Sequence, residues 1–174
     1  MPELIPILNK AEIEARVEKI ARKISSDYTG CELVLIGVLK GAFVFLSDLM
    51  RHLTIPVKID FLQASSYGKS TTSSGNIQLI KSLDLDIKNK DVLIVEDIVD
   101  SGLTVSYLID YLKSFGPHSV KICCMIDKRE RRQLRLTVDY ACLKADEGFL
   151  VGYGLDFAED YRELPGIYHL KINA

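Results

Sequence analysis

One stretch, Val92-Leu93-Ile94-Val95-Glu96-Asp97-Ile98-Val99-Asp100-Ser101-Gly102-Leu103-Thr104-Val105, holds the residues best suited to chemistry. Glu96 and Asp97 are adjacent carboxylates that close an apolar run. Two like charges in that position are costly unless a cation or a polyhydroxyl ligand satisfies them, so the pair asks for a sugar diol or a hard metal such as Mg2+. Asp100-Ser101-Gly102-Leu103-Thr104 then places small and hydroxyl residues where a helical pattern begins. Free N–H groups and the positive end of the helix dipole converge there, Ser and Thr add donors, and a phosphate is the natural occupant. Asp100 is the only carboxylate on that loop.

These groups need a scaffold that gathers them at one end of a sheet. The run 92–95 reads as a strand buried on both faces, and helical periodicity resumes at Leu103. The polar segment between them therefore lies at the carboxyl end of a central parallel strand, where ligands bind in open α/β sheets. Asn9 and Glu12 make a capping-box pattern ahead of Ile13, Val17, Ile20 and Ile24, which predicts an amphipathic helix ending near Tyr28. Residues 32–38 predict the first core strand and 41–50 a helix directly after it. Residues 57–64 predict a strand, 65–75 a polar loop and 76–80 a return strand. Residues 105–115 predict a helix with Leu108, Ile109 and Leu112 inward, stopped by Gly116-Pro117, and 120–126 and 138–142 predict further strands. The fold class is α/β, a central, mostly parallel twisted sheet flanked by helices.

Other polar residues fall beside these strand ends. Lys40-Gly41 joins a point charge to accessible N–H groups at a strand-to-helix junction, and taken alone reads either as a second anion site or as a lysine on a solvated turn with glycine as a breaker. Ser66-Tyr67 opens the 65–75 loop, which is too polar to pack and too long for a tight hairpin, and reads either as a mobile tip or as a lid. In Asp127-Lys128-Arg129-Glu130-Arg131-Arg132, the residues Arg129, Arg131 and Arg132 read as a solvated face, since interleaved acids weaken any nucleic-acid footprint. Phe149, taken alone, reads as core packing.

The 92–105 stretch closely resembles the phosphoribosyl diphosphate (PRPP) signature of the type I phosphoribosyltransferase family. Phe149-Leu150-Val151-Gly152-Tyr153-Gly154-Leu155-Asp156-Phe157, followed by Tyr161-Arg162, resembles the carboxy-terminal segment of that family's hypoxanthine-guanine branch. The resemblance runs from about residue 32 to residue 174 and implies the type I phosphoribosyltransferase fold. It further implies one domain, 1–174, whose N-terminal and C-terminal segments form a small hood subdomain, with a mobile lid at about 65–75 carrying Ser66 and Tyr67. The implied reaction is purine salvage: the 5-phosphoribosyl group of PRPP moves to N9 of a 6-oxopurine, hypoxanthine or guanine, giving IMP or GMP and pyrophosphate with Mg2+ as cofactor.

The resemblance also implies roles. Glu96 and Asp97 meet the ribose; Asp100, Ser101, Gly102, Leu103 and Thr104 hold the 5′-phosphate; Asp100 is the general acid/base at N7 of the purine. Lys40, Gly41 and Arg162 meet pyrophosphate; the family's pair matching Leu39-Lys40 often adopts a cis peptide bond, an isomer that this sequence leaves open. Ile98, Lys128, Phe149, Leu150 and Asp156 line the purine, Lys128 donating to its exocyclic oxygen, and Glu96, Asp97 and Asp156 serve the metal. Two positions depart from the better-known form: Ser101 stands where Thr is common, keeping the hydroxyl, and Leu103 stands where Lys or Arg is often found, removing a charge near the phosphate.

Composition narrows the remaining classes. At 174 residues, 48% hydrophobic and 26% charged, the chain suffices for one full core, and a second large domain is not expected. A net charge of −2 argues against broad attraction to nucleic acid or anionic membrane. No apolar run approaches the ~20 residues of a membrane span, and Met1-Pro2-Glu3-Leu4 carries no basic leader pattern, so the expected location is the cytoplasm. Cys31, Cys123, Cys124 and Cys142 lack metal-ligand spacing and read as reduced, partly buried thiols, with Cys123 and Cys124 on opposite faces of a strand. The family resemblance implies a homodimer or homotetramer. Two competing readings are a xanthine-preferring relative, which shares every phosphate and ribose residue, and a PRPP-sensing regulator acting on nucleic acid. The acidic balance and the presence of Lys128, Phe149 and Asp156 oppose the second.

Overall fold

Aliphatic runs without a polar face become strands only if both faces are covered. In the computed structural model, which describes residues 2–66, 77–146 and 148–172 and of Ser66 only the backbone, both faces are. Leu33, Leu35, Leu93, Val95, Cys123 and Met125 pack under the helices α1 (Lys10–Asp27) and α2 (Phe43–His52). Val34, Ile36, Val92 and Ile94 alternate with them and pack against Leu108 and Leu112 of α3 (Leu103–Lys113) on the other face.

The strands so buried are β2 (Leu33–Leu39), β3 (Val57–Ser66), β5 (Asp91–Val99), β6 (Ser119–Lys128) and β7 (Tyr140–Ala145), with β4 (Ile77–Lys81) at one edge. Their order in the sheet is β4-β3-β2-β5-β6-β7, parallel throughout except for β4 against β3. Parallel registry brings the carboxyl ends of β2, β5 and β6 side by side, Gly37 opposite Val95 and Val99 opposite Asp127. Asp60, buried on β3, accepts the N–H groups of Phe61 (2.7 Å), Asp84 (2.7 Å) and Leu85 (2.8 Å), which ties the segment after β4 to the sheet.

The capping box forms as expected: Asn9 Oδ1 accepts the Glu12 N–H (2.9 Å) while Glu12 Oε2 accepts the Asn9 N–H (2.8 Å). Ile13, Val17 and Ile24 are buried on α1, whereas Ile20, like Ile109 on α3, is only partly covered. The two chain ends build a second sheet that periodicity did not reveal in full. Its order is β1-β9-β8, from β1 (Glu3–Leu8), β9 (Ile167–Lys171) and β8 (Leu150–Val151), all antiparallel. The expected first core strand is thus the second in the chain. Of the expected lid, Ser65 and the Ser66 backbone continue β3, while the Ser66 side chain, Tyr67 and the rest through Gly75 lie outside the described residues.

Cys123 and Cys124 do face opposite ways, into the cores under α1 and α3 respectively. With Cys142 they are free and buried, and Cys31 is free and exposed. Burial pushes the Cys142 thiol up to about 12, so it is an unreactive hydrophobe. Among the described residues no helix is long and apolar enough to cross a membrane.

Candidate active site

Strand pairing on β5 runs through Ile98 and Val99, so Glu96 and Asp97 lie inside the strand rather than beyond it. Glu96 is 6% exposed. Burial first, and the neighbouring Asp97 charge second, push its carboxyl well above the usual range. Burial raises Asp97 as well, against the opposing N–H of Ile98 (2.7 Å) and the charge of Arg162. A methyl group on Gly41 would sit 1.7 Å from Asp97 Oδ2, so only glycine lets the turn after β2 come this close to the acid. The Leu39–Lys40 peptide in that turn is cis, which decides an isomer that the sequence left open. Lys40 Nζ reaches Glu159 at 3.0 Å.

Past Val99 the chain turns through Asp100 and Ser101 to Gly102, whose φ of +85° caps the start of α3. A residue with a Cβ is strained there. Ser101 Oγ accepts the Leu103 N–H (3.3 Å). Asp100 Oδ1 is buried and finds no hydrogen-bond partner among the described residues. On the far side of the sheet's carboxyl edge, Lys128 is 6% exposed and donates from Nζ to the Gly148 carbonyl (2.9 Å). Phe149 is 48% exposed, its ring edge-on to Phe157 at 5.4 Å, which corrects the core-packing reading of that aromatic.

Two cavities meet at this edge. One, of about 320 Å³, is lined by Lys40, Gly41, Glu96, Asp97, Ile98, Asp100, Ser101, Gly102, Thr104, Asp156 and Arg162, among others. The second, of about 370 Å³, is lined by Lys128, Gly148, Phe149, Leu150 and Leu155, and shares Asp97, Ile98, Asp100 and Asp156 with the first. A larger cavity, about 780 Å³, lies elsewhere, between α1, α2 and residues 162–165, without the acidic pair or the start of α3.

Not every expected residue joins. Leu103 lines neither of the two cavities, and its amide is taken by Ser101. Asp156 accepts the Glu159 N–H (2.9 Å) and pairs with Arg162 Nη2 (3.0 Å), and Arg162 Nη1 donates to the Gly154 carbonyl (2.7 Å). Among the described residues no group of three or more His, Cys, Asp or Glu could hold a metal ion unaided. Glu96, Asp97 and Asp156 therefore do not make an all-protein cage; two buried carboxylates whose ionisation is suppressed suit a Mg2+ that takes its other oxygens from a substrate and water.

Two residues here were not foreseen. Glu159 stands between Lys40 and Arg162, 3.0 and 3.4 Å from them. Arg132, read as part of a solvated face, is mostly buried, its side chain 14% exposed and paired with Asp127 at 2.6 Å. A run of basic residues does not reveal which one turns inward, and the partners of Arg132 include residues more than thirty positions away.

Comparison with known proteins decides the family. A model described as a phosphoribosyl transferase domain matches residues 6–158. The chain belongs to the phosphoribosyltransferase family. Among curated phosphoribosyltransferases it is 45% identical over 166 residues to a hypoxanthine-guanine phosphoribosyltransferase of Aquifex aeolicus (strain VF5), covering 95% of this chain and 93% of that one. It is 42% identical over 161 residues to a hypoxanthine phosphoribosyltransferase of Salmonella typhimurium, covering 91% and 90%. A crystal structure of a hypoxanthine-guanine phosphoribosyltransferase from Bacillus anthracis superposes with a TM-score of 0.92 at 40% identity, covering 99% of this chain and all of that one. The fold is that of the type I phosphoribosyltransferases, and the chain is an enzyme.

Proposed function

We propose that this phosphoribosyltransferase moves the 5-phosphoribosyl group of PRPP to N9 of hypoxanthine or guanine, giving IMP or GMP and pyrophosphate. The observation that carries the reading is the shared wall of the two cavities, with Asp100 Oδ1, buried and unpartnered among the described residues, beside both. The first cavity offers acids for a ribose and a helix start for its phosphate; the second offers a cation and an aromatic ring for a purine. A bond formed between their occupants lies at the seam.

The bond from ribose C1′ to pyrophosphate oxygen breaks and the bond from C1′ to purine N9 forms. Glu96 and Asp97 hold the ribose hydroxyls and lie near the positive charge that develops on the sugar. The amides at the start of α3, with Ser101 and Thr104, hold the 5′-phosphate. Lys40, the Gly41 backbone and Arg162 offset the charge of the departing pyrophosphate. Glu96 and Asp97 would hold a Mg2+, which would supply further charge neutralisation for the pyrophosphate.

Lys128 donates to the purine's exocyclic oxygen, a contact that an amino group at that position leaves unpaired. Phe149 stacks on the ring, backed by Phe157, and the Leu150 backbone reads the ring's edge. Asp156, with Ile98, completes the purine wall. Asp100 manages the proton at N7, general acid/base work of about 10²–10⁴-fold. The buried thiols suit a reducing compartment, the cytoplasm.

The test is a spectrophotometric assay of PRPP with hypoxanthine, guanine, xanthine and adenine, with and without Mg2+. Nucleotide from the first two, none from adenine, and dependence on Mg2+ are expected, with Asp100→Asn lowering turnover far more than PRPP binding. A preference for xanthine, or no nucleotide from any base, contradicts the reading.

A further inference from the structure

A buried arginine that hydrogen-bonds to backbone carbonyls fixes where those carbonyls sit, and with them the side chains between them. Arg132 does this across two elements. Its Nε donates to the Asp100 carbonyl (2.9 Å), and Nη2 to the Val99 carbonyl (3.2 Å), to Asp127 Oδ1 (2.6 Å) and to the Lys128 carbonyl (3.3 Å). Asp127 is 1% exposed and is thus a buried anchor for the guanidinium. The aliphatic stem of Arg132 also backs Gly102: a Cβ there would lie 3.3 Å from Arg132 Cδ.

The geometry points to Arg132 as a positioning residue for Asp100. Its fork holds the carbonyls of Val99 and Asp100 while Nη2 also reaches Asp127 and the Lys128 carbonyl at the end of β6, and Nη1 donates to the Leu136 carbonyl (3.5 Å). The Asp100 carboxylate, which has a buried oxygen without a hydrogen-bond partner among the described residues, is therefore aimed by its own backbone. One guanidinium also sets the distance between the residue that manages the purine's proton and the lysine that reads the purine. The next carbonyl, of Ser101, has a separate anchor in the Gln133 N–H (3.0 Å), so the phosphate-binding amides depend on Arg132 less than Asp100 does. The inference rests on the assignment of Asp100 as general acid/base.

The test is a double-mutant cycle on the full chain, Arg132→Lys against Asp100→Asn, with kcat, KM for PRPP and thermal unfolding measured for each variant. Lysine keeps the charge beside Asp127 but loses the planar fork. With Asp100 present, kcat is expected to fall by about 10²-fold, the cost of a displacement of about 1 Å at a reacting group, with a smaller change in KM. In the Asp100→Asn background the same substitution is expected to lower kcat by no more than about threefold, because the group being aimed is gone. Equal losses in both backgrounds overturn the proposal, as does unchanged kcat with only a lowered melting temperature, the mark of a structural role. Full turnover in Asp100→Asn alone overturns both this inference and the acid/base assignment, whereas additive losses overturn only this one. If Arg132→Lys does not fold, Asp127→Asn takes its place in the cycle, with a loss of about tenfold that again disappears without Asp100.

Discussion

A glutamate carboxyl inside a sheet, with a second acid beside it, is held where its charge is poorly solvated. The fold therefore favours the neutral form of Glu96, and of Asp97 in the same direction. The unfolded chain ionises these groups near pH ~4. Stability from this source is complete below that pH and is lost as pH rises toward the folded-state values, since there the native state binds more protons than the unfolded one. Glu96→Gln is accordingly expected to raise the melting temperature of the ligand-free protein at pH 8 and not at pH 4, while weakening PRPP binding. Paired thermal melts and a PRPP titration check this; a difference from the native protein that does not vary with pH contradicts it. Lys128 and Arg132 show what was legible at this scale. The first closes β6, and its assignment came from the family resemblance. The second is set apart from Arg129 and Arg131 only by contacts that no spacing encodes.

Asp60 plays the corresponding part for an element. Burial on its own pushes the carboxyl up, but the N–H groups of Leu85, Asp84 and Phe61, with the Lys81 charge, outweigh that and hold it below the usual range. The stability it contributes is present above the unfolded-state value and lost as pH falls through the folded one. Asp60→Asn leaves backbone donors short of acceptors and is expected to cost about 1–3 kcal/mol at pH 7. At about 2–4 °C per kcal/mol for a domain of this size, calorimetry resolves that loss. The gap to the native protein narrows as pH drops below ~4; a gap that stays constant through acid contradicts the role. Local signals made α1 and the β5-to-α3 turn legible, because the capping box and the small-residue loop act within a few residues. β1 was not, since it carries Pro6 and shows mixed burial, and its partner β9 lies at the other end of the chain. Only that distant pairing makes it a strand.

At the scale of the whole molecule, the parallel order β2-β5-β6 is what turns separated motifs into one site, and the β1-β9-β8 sheet brings Leu150, next to Phe149, up to them. Unbroken aliphatic runs foretold the central sheet, but the cavities gather the ends of β2, β5 and β6 with residues 148–162, a juxtaposition that a linear pattern does not contain. Their small size beside the 780 Å³ space between α1 and α2 makes the location of the ligand a sharp question. The most direct test is a crystal structure of the protein with IMP and Mg2+. The account expects the phosphate on the amides at the start of α3, the ribose against Glu96 and Asp97, and the purine over Phe149 with its oxygen toward Lys128. A nucleotide seated in the larger cavity, or a phosphate away from the start of α3, contradicts it.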